Sequence, residues 1–280
     1  MAVHLKAPAH IPDRELQRFL DQVFDKYGYD FRNYSHASLR RRLRHRLMLS
    51  GIDDFGDLEA KTLKNRQFFN TILLDLSITT TEMFRDPAFF MAFRDEVVPV
   101  LKTYPSFKIW QAGCSTGQET YSLAILLQEE GILDRGLIYA TDFNATALEQ
   151  ARRGVYPTEL IKQYAAQFHR AGGKGPFSQY FTSRYDSVLM DKSLRRNIVF
   201  SEHNLATDGV FSEVQIVICR NVLIYFNRTL QDRALSIFHQ SLGRRGFLCL
   251  GAKESLLLSS HRRDFEVVRE NERIFRKKTG

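Results

Sequence analysis

Cysteine, tryptophan and long apolar runs are scarce in this chain of 280 residues. The three cysteines, Cys114, Cys219 and Cys249, stand at spacings unlike those of a zinc site, and so low and odd a count is typical of a reducing compartment. No stretch of about 18 consecutive apolar residues predicts a membrane-spanning helix, and no signal-peptide pattern begins at residue 1. We therefore expect a cytoplasmic protein that holds no structural metal and does not insert into a membrane.

The sequence also lacks the residue patterns of the commonest catalytic centres. No Ser/His/Asp combination and no set of metal ligands stands out, so the pattern favours neither a hydrolytic triad nor metal-assisted chemistry. What is present is a surplus of positive charge, because 40 lysines and arginines face 32 acidic residues and give a net charge of +8. This charge favours an acidic partner. The apolar content of 44% suffices for the core of one large domain or two modest ones.

A basic amphipathic helix is predicted within the first 78 residues, which show only helical periodicity. Leu39, Leu43 and Leu47 recur at every fourth position and predict its buried face. Six arginines and no acidic residue lie between Phe31 and Ile52, which favours a docking surface over the simpler interpretation of a solvated face. No aromatic residues alternate with the arginines, which argues against nucleic acid as the partner. The candidate docking residues are Arg40, Arg41, Arg42, Arg44 and Arg46.

The stretch 108–127 combines an apolar strand, a glycine turn and a helix, which is how a nucleotide-binding α/β domain opens. Gly113 and Gly117 let the backbone approach a ligand, and the free N–H groups at the helix start favour a polar or negative group. A second apolar run ends at Asp142, the position at which such folds bind ribose hydroxyls. The glycine spacing differs from the dinucleotide pattern G-x-G-x-x-G. We interpret the pocket as one for S-adenosylmethionine.

Both acidic candidates in this region have a purely structural alternative. The run from Thr116 to Glu119 fits a capping box, in which Glu119 would only cap the helix after the glycine turn. Asp142 would likewise only begin the next helix. The remaining segments of the chain favour the functional interpretation.

Those segments predict a mainly parallel sheet that is interrupted once. Residues 155–196 do not continue the alternation of strands and helices, and two runs within them predict a small antiparallel β insertion. Val214–Cys219 is almost wholly apolar, as expected of a central parallel strand. Runs at 265–268 and 273–276 predict a closing hairpin. Further elements are a helix from Asp13 to Gly28, a helix over 58–74, a hydroxyl-rich joint at Leu76–Pro87 and a strand at Ile198–Glu202 that leads into His203-Asn204-Leu205.

Six segments in this order resemble the bacterial chemotaxis receptor methyltransferases of the CheR type, over nearly the whole chain. They are the basic helix, T-T-T-E-M-F-R-D-P, A-G-C-S-T-G-Q-E-T-Y-S, A-T-D-F-N, H-N-L and C-R-N-V-L-I-Y-F. The resemblance implies an α/β S-adenosylmethionine-dependent methyltransferase, with a Rossmann-like doubly wound sheet and a C-terminal antiparallel hairpin. It also implies a small all-α receptor-docking domain at 1–78 and a methyltransferase domain at 79–280, with the small antiparallel β insertion near 155–196.

The resemblance implies an activity and a set of site residues. The family transfers a methyl group from S-adenosylmethionine to glutamate γ-carboxylates on receptor cytoplasmic helices and releases S-adenosylhomocysteine, so a chemoreceptor cytoplasmic domain is the implied partner. Arg85 and Tyr225 are implied to hold the acceptor carboxylate. Together with Gly113 of the glycine turn, the implied cofactor residues are Thr79, Thr81, Arg85, Glu119, Asp142, Asn204, Leu205, Cys219 and Arg220.

The chain departs from the family pattern G-E-E-P-Y-S at Gln118 and Thr120, and Thr79 stands where asparagine is common. Methyl transfer to a carboxylate needs no general base, in keeping with the residue types present. Two alternatives stay open: a methyltransferase for another acidic protein or a small acid, and a catalytically silent domain that senses the cofactor or binds a signalling partner. The missing N-P-P-Y-type loop argues against a nucleic-acid methyltransferase.

Overall fold

Buried apolar residues at helical spacing build four helices within residues 11–77: α1 (Asp13–Tyr27), α2 (His36–Ser50), α3 (Phe55–Lys64) and α4 (Arg66–Leu76). The computed structural model describes residues 11–77, 81–257 and 259–279, and these divide into two units. The four helices belong to the first unit, as do Tyr225–Leu230. Gly28, with a φ of +77°, ends α1 as the sequence predicts. The all-α character expected of this part is confirmed.

The prediction of one continuous helix over 58–74 is wrong, because the helix breaks at Asn65. Asn65 has an extended backbone, and its side chain accepts a hydrogen bond from Phe68 N at 3.0 Å, which caps the start of α4. The preceding helix α3 begins earlier than predicted, because the Asp54 side chain caps it at Gly56 N and Asp57 N. Asparagine and aspartate are preferred helix caps, so both boundaries had a signal in the sequence.

A segment from far along the chain completes the helical unit. Ser35 N donates to Tyr225 O at 2.7 Å, and Tyr34 forms an antiparallel bridge with Phe226. The rings of Tyr34 and Phe226 meet edge to face, with centroids 4.9 Å apart. Backbone pairing and ring packing therefore hold Tyr225–Leu230 within this unit.

The described residues of the second unit form ten strands, and seven of these make one sheet in the order β6-β2-β1-β7-β8-β10-β9. The first five of that order are parallel, and β10 runs antiparallel to β8 and β9. The strands β2 and β6 therefore lie on one side of β1, and β7 and β8 lie on the other. The strand order reverses at β1, and doubly wound sheets bind ligands at such a switch point. The doubly wound sheet and the closing hairpin are confirmed. The strands are β1 (Phe107–Ala112), β2 (Gly136–Asp142), β3 (Val155–Pro157), β4 (Phe181–Arg184), β5 (Ser187–Met190), β6 (Ile198–Glu202), β7 (Val214–Cys219), β8 (Leu242–Leu250), β9 (Phe265–Arg269) and β10 (Ile274–Lys277).

The other helices of the described chain are α5 (Pro87–Ala92), α6 (Val98–Leu101), α7 (Gln118–Glu129), α8 (Ala145–Arg153), α9 (Ile161–Arg170), α10 (Lys192–Arg195) and α11 (Arg228–Ser241). A π-helical turn at Phe93–Val97 joins α5 to α6. None of the helices formed by the described residues combines the length and the apolar content that a membrane crossing needs.

The predicted antiparallel insertion is confirmed as a separate sheet with the strand order β3-β5-β4. Its edge strand β3 and the helix α9 were not predicted. Tyr164 and Phe168 of α9 are both buried, and their spacing of four residues is the helical signal that was overlooked.

Candidate active site

The glycine turn after β1 lies against the end of β2. Gly113 N donates to Thr141 O at 2.8 Å. Both glycines have a left-handed backbone, with φ of +78° at Gly113 and +90° at Gly117. A Cβ atom would lie 2.4 Å from Val222 Cγ2 at the first position and 2.8 Å from Ala151 Cβ at the second. Backbone conformation and lack of space therefore both require glycine here.

Asp142, at the tip of β2, fastens this turn to the start of α8. Its buried carboxylate accepts hydrogen bonds from Ser115 N at 2.8 Å and from Asn144 N at 2.9 Å. Burial raises the pKa of Asp142, and the backbone N–H donors oppose that rise. The residue that caps α8 is Asn144, whose side chain accepts from Thr146 N and Ala147 N. Asp142 is therefore not the cap of this helix.

Glu119, in the first turn of α7, faces two side chains across the strand edge. Its carboxylate accepts from Gln111 Nε2 at 3.2 Å and from Arg220 Nη1 at 2.5 Å. The alternative of a capping box is not realised, because the Thr116 hydroxyl donates to Gln118 Oε1 and the residue before the helix makes no side-chain cap. The carboxylate of Glu119 is thus held as an ion-pair partner.

Arg220, directly after β7, is the centre of an ion cluster. Its side chain is 1% exposed and donates through Nη2 to Asp86 Oδ2 at 2.7 Å as well as to Glu119. Its guanidinium carbon lies 4.1 Å from the centre of the Phe89 ring. The cluster joins the end of β7, the start of α7 and the segment before α5. Two carboxylates offset the cost of burying this cation.

The two departures from the family pattern take part in hydrogen bonds of this region. The Thr120 hydroxyl donates to Gln111 Oε1 at 2.5 Å, which turns the amide nitrogen of Gln111 towards Glu119. Gln118 Oε1 accepts from the Thr116 hydroxyl at 2.7 Å. A proline at position 120 could not supply the hydroxyl, so Thr120 has a specific structural role here.

Comparison with known proteins identifies the family. Residues 79–274 match the family described as CheR methyltransferase, SAM binding domain, and residues 14–77 match CheR methyltransferase, all-alpha domain. The chain belongs to the CheR methyltransferase family. Its second unit therefore contains the S-adenosylmethionine-binding domain.

Three relatives of this CheR family member are similar over almost their full lengths. A Pseudomonas putida protein assigned as a methyltransferase and named Cher3 is 50% identical over 265 residues, which cover 95% of this chain and 97% of that protein. A chemotaxis protein methyltransferase of Vibrio parahaemolyticus is 30% identical, with coverage of 94% and 95%. One of Listeria monocytogenes is 27% identical, with coverage of 88% and 93%.

The structure brings several of the predicted cofactor residues to one edge of the CheR sheet, because they follow parallel strands. Asn204 and the buried Leu205 follow β6, and Cys219 ends β7. Burial raises the pKa of the Cys219 thiol well above its usual value, so this side chain is not a nucleophile at neutral pH. Thr81 and Arg85 are half-buried and lie in the segment before α5, whereas Thr79 lies outside the described residues.

Tyr225, the second predicted acceptor-binding residue, belongs to the helical unit. The guanidinium carbon of Arg42 lies 5.2 Å from the centre of its ring. Arg42 also donates to Asp75 O at 2.7 Å, and burial lowers its pKa. An arginine predicted to face a docking partner is therefore packed against the predicted catalytic tyrosine.

Two more of the five candidate docking arginines have partners within their own unit. Arg40 donates to Ile11 O and Asp13, and Arg46 makes two hydrogen bonds to the Asp75 carboxylate. Arg41 is exposed and Arg44 is half-exposed. The helical wheel did not predict which arginines turn inward, because acceptors at residues 11–13 and on α4 decide this.

Three residues of the second unit that hold the site together were not predicted. Gln111 was detectable, because it is a polar residue within an otherwise apolar buried strand. Asp86 stood within a quoted motif, although its pairing with Arg220 could not be read from spacing. Glu254 had no signal, because three of the four backbone groups that it binds precede it by about thirty residues.

Replacing Arg220 with methionine should lower the free energy of unfolding by about 3 kcal/mol, because Glu119 would be left in a largely buried place without its cation. Adding Glu119→Gln to this variant should recover part of the loss. The control is Arg269→Met, which breaks a half-exposed pair with Glu96 and should cost less than about 1 kcal/mol. Denaturant unfolding measures all three, and equal losses for the two arginines would contradict a buried ion cluster.

Proposed function

We propose that this CheR family member transfers the methyl group of S-adenosylmethionine to glutamate γ-carboxylates on the cytoplasmic helices of a chemoreceptor, and that it therefore acts in the cytoplasm. The match to both CheR family domains carries the proposal. Relatives named chemotaxis protein methyltransferase support it. The product is a glutamate methyl ester, with S-adenosylhomocysteine released.

The chemistry of the strand edge fits S-adenosylmethionine. The Asp142 carboxylate accepts hydrogen bonds from Ser115 N and Asn144 N, and a carboxylate has about four acceptor sites, which leaves capacity for a ribose hydroxyl. Glu119 supplies negative charge for the amino group of the cofactor, and Gly113 leaves its backbone accessible. We assign the other cofactor contacts to Thr79, Thr81, Arg85, Asn204, Leu205, Cys219 and Arg220.

The reaction requires alignment of charges and no removal of a proton. The cofactor supplies an electrophilic methyl group on a sulfonium, and the acceptor carboxylate is already ionised at neutral pH. The C–O bond forms as the C–S bond breaks, and the positive and negative charges cancel in the products. Arg85 and Tyr225 orient the acceptor carboxylate as a charged and a neutral hydrogen-bond donor.

Transfer of a tritiated methyl group to receptor-containing membranes tests the proposal. The label should appear on the receptor and should be released as volatile methanol by mild base, because esters hydrolyse and N-methyl groups do not. Base-stable label, or binding of S-adenosylhomocysteine without any transfer to the receptor, would contradict it. The second result would indicate a silent cofactor-sensing domain.

Asp142→Asn should weaken S-adenosylhomocysteine binding by about 1–3 kcal/mol, because the amide replaces an acceptor with a donor. Since burial raises the pKa of Asp142, wild-type affinity should fall as pH is lowered, starting at a higher pH than for an ordinary aspartate. The affinity of the variant should not show this fall. Calorimetric titration measures both, with Asp134→Asn, at an exposed position, as the control. Binding unchanged in Asp142→Asn would exclude the ribose contact.

Arg85→Ala should reduce methyl transfer by about 10²-fold or more while changing S-adenosylhomocysteine affinity far less, because its main role is to orient the acceptor. Tyr225→Phe, which removes only a hydroxyl, should give a folded enzyme that is also slow. Single-turnover transfer and calorimetry separate the two effects. Turnover of Arg85→Ala within about threefold of wild type, a difference of about 0.7 kcal/mol, would remove Arg85 from the acceptor site.

We also propose that the exposed face of α2 binds the acidic surface of the receptor helix. Arg41, His45 and Met48 are exposed and follow one another at helical spacing, and Arg44 is half-exposed beside them. Charge and apolar area on one helix face suit a partner that is itself an amphipathic acidic helix.

Arg41→Glu should therefore lower kcat/KM on the receptor and flatten its dependence on ionic strength, because exposed charges act mainly by steering encounter. Cofactor affinity and thermal stability should stay near wild type, since the buried leucines of α2 are untouched. The matched control is Arg14→Glu, the same charge change at an exposed position on α1. Equal salt dependence in the two variants would show that α2 is only a solvated face.

A further inference from the structure

The carboxylate of Glu254 accepts four backbone hydrogen bonds around the turn that follows β7. Its Oε1 accepts from Val222 N at 2.8 Å and Leu223 N at 2.7 Å. Its Oε2 accepts from Asn221 N at 3.0 Å and Gly251 N at 2.6 Å. Glu254 is only 3% exposed, and burial raises its pKa while the four N–H donors oppose that rise. Both carboxylate oxygens of Glu254 are therefore bonded to backbone N–H groups.

The turn that Glu254 binds has the form of an anion-binding nest. Asn221 has a left-handed φ of +61°, and three consecutive N–H groups, from Asn221 to Leu223, point at one carboxylate. Such concave sets of backbone N–H groups bind anions. A Cβ at position 251 would lie 2.8 Å from Asn221 N, so the chain around Gly251 approaches this nest as closely as glycine permits. The chain's own carboxylate fills the nest.

The turn connects two residues to which the proposed function gives roles. Arg220 stands immediately before it, and Tyr225 follows Leu223 by two positions. The ion cluster fixes the guanidinium of Arg220. It does not fix the backbone of the residues that follow Arg220, which needs contacts of its own. Leu223 O also accepts a hydrogen bond from Gln231 Nε2 at 2.9 Å, which restrains the far end of the turn.

We propose that Glu254 is a positioning residue for methyl transfer: it occupies the nest at 221–223, sets the path of the chain that leaves Arg220, and closes this nest to the carboxylates of cofactor and acceptor. It acts through the turn without touching either substrate. The inference rests on the proposed function for its effect on turnover, but not for its effect on the turn itself.

Glu254→Gln tests the inference with the smallest change of shape. Each carboxylate oxygen accepts two N–H bonds, so the amide nitrogen meets two donors in either orientation. Turnover on the receptor should fall by about tenfold or more, as expected when a supporting residue is lost. Affinity for S-adenosylhomocysteine should fall less than turnover, because Asp142 is held by Ser115 N and Asn144 N, away from this turn.

The matched control is Glu129→Gln, which alters another buried carboxylate of the same unit. Glu129 pairs with Arg94 and accepts from Lys174 N, away from the turn after β7. Both variants are compared well below their melting temperatures, so that loss of fold does not mimic loss of turnover. Added formate should partly restore turnover to Glu254→Ala, by refilling the nest, and should not help Glu129→Ala. Equal turnover in the two glutamine variants, or no rescue by formate, would overturn the positioning role.

Hydrogen exchange tests whether Glu254 fixes the turn, even if the variants do not fold. In the wild-type protein, the amides of Val222 and Leu223 should exchange far more slowly than those of an unbonded loop. Exchange at the rate of a free loop would overturn the inference. This readout needs no methyl acceptor. If the wild-type enzyme transfers nothing to the receptor, the proposed function fails, and exchange still determines whether Glu254 fixes the turn.

Discussion

The pairing of one buried guanidinium with two carboxylates organises the candidate active site. Arg220 joins Glu119 of α7 and Asp86 of the segment before α5 to the end of β7. Each of these residues belongs to a different part of the chain, so the cluster fixes three elements relative to one another. The buried guanidinium and the largely buried Glu119 carboxylate compensate each other's charge, and Asp86 adds a half-exposed carboxylate. Asp142 and Glu254 are buried carboxylates that are compensated by the backbone instead, because each accepts hydrogen bonds from N–H groups of a turn at the strand edge.

Much of the fold could be predicted from periodicity and glycine positions. The strand Val214–Cys219, the helix before Gly28 and the closing hairpin all had strong local signals. The errors arose where a side chain overrode periodicity, as at Asn65, which splits one predicted helix into two. The pairing of Tyr225–Leu230 with the helical unit had no local signal, because it depends on backbone partners nearly two hundred positions away.

The types of residue in the candidate site could be predicted from the sequence. Their hydrogen-bond and ion-pair partners could be predicted less well. The positions of Glu119 and Asp142 at strand and helix ends followed from the fold class. Which groups they bind did not follow, because contacts such as Arg220 with Asp86 and Glu254 with the turn after β7 join distant parts of the chain. The motifs identified the residues of the site, but the contacts of their side chains are seen only in the folded structure.

We propose that the enzyme aligns charges and uses no general base, and the pH dependence of the chemical step tests this mechanism. We would measure the single-turnover rate of methyl transfer to the receptor from about pH 6 to about pH 8.5, a range in which glutamate carboxylates are ionised. We expect a rate that does not change across this range. A rate that rises tenfold per pH unit below a midpoint near 7 would require a base that must lose its proton, and would overturn this mechanism.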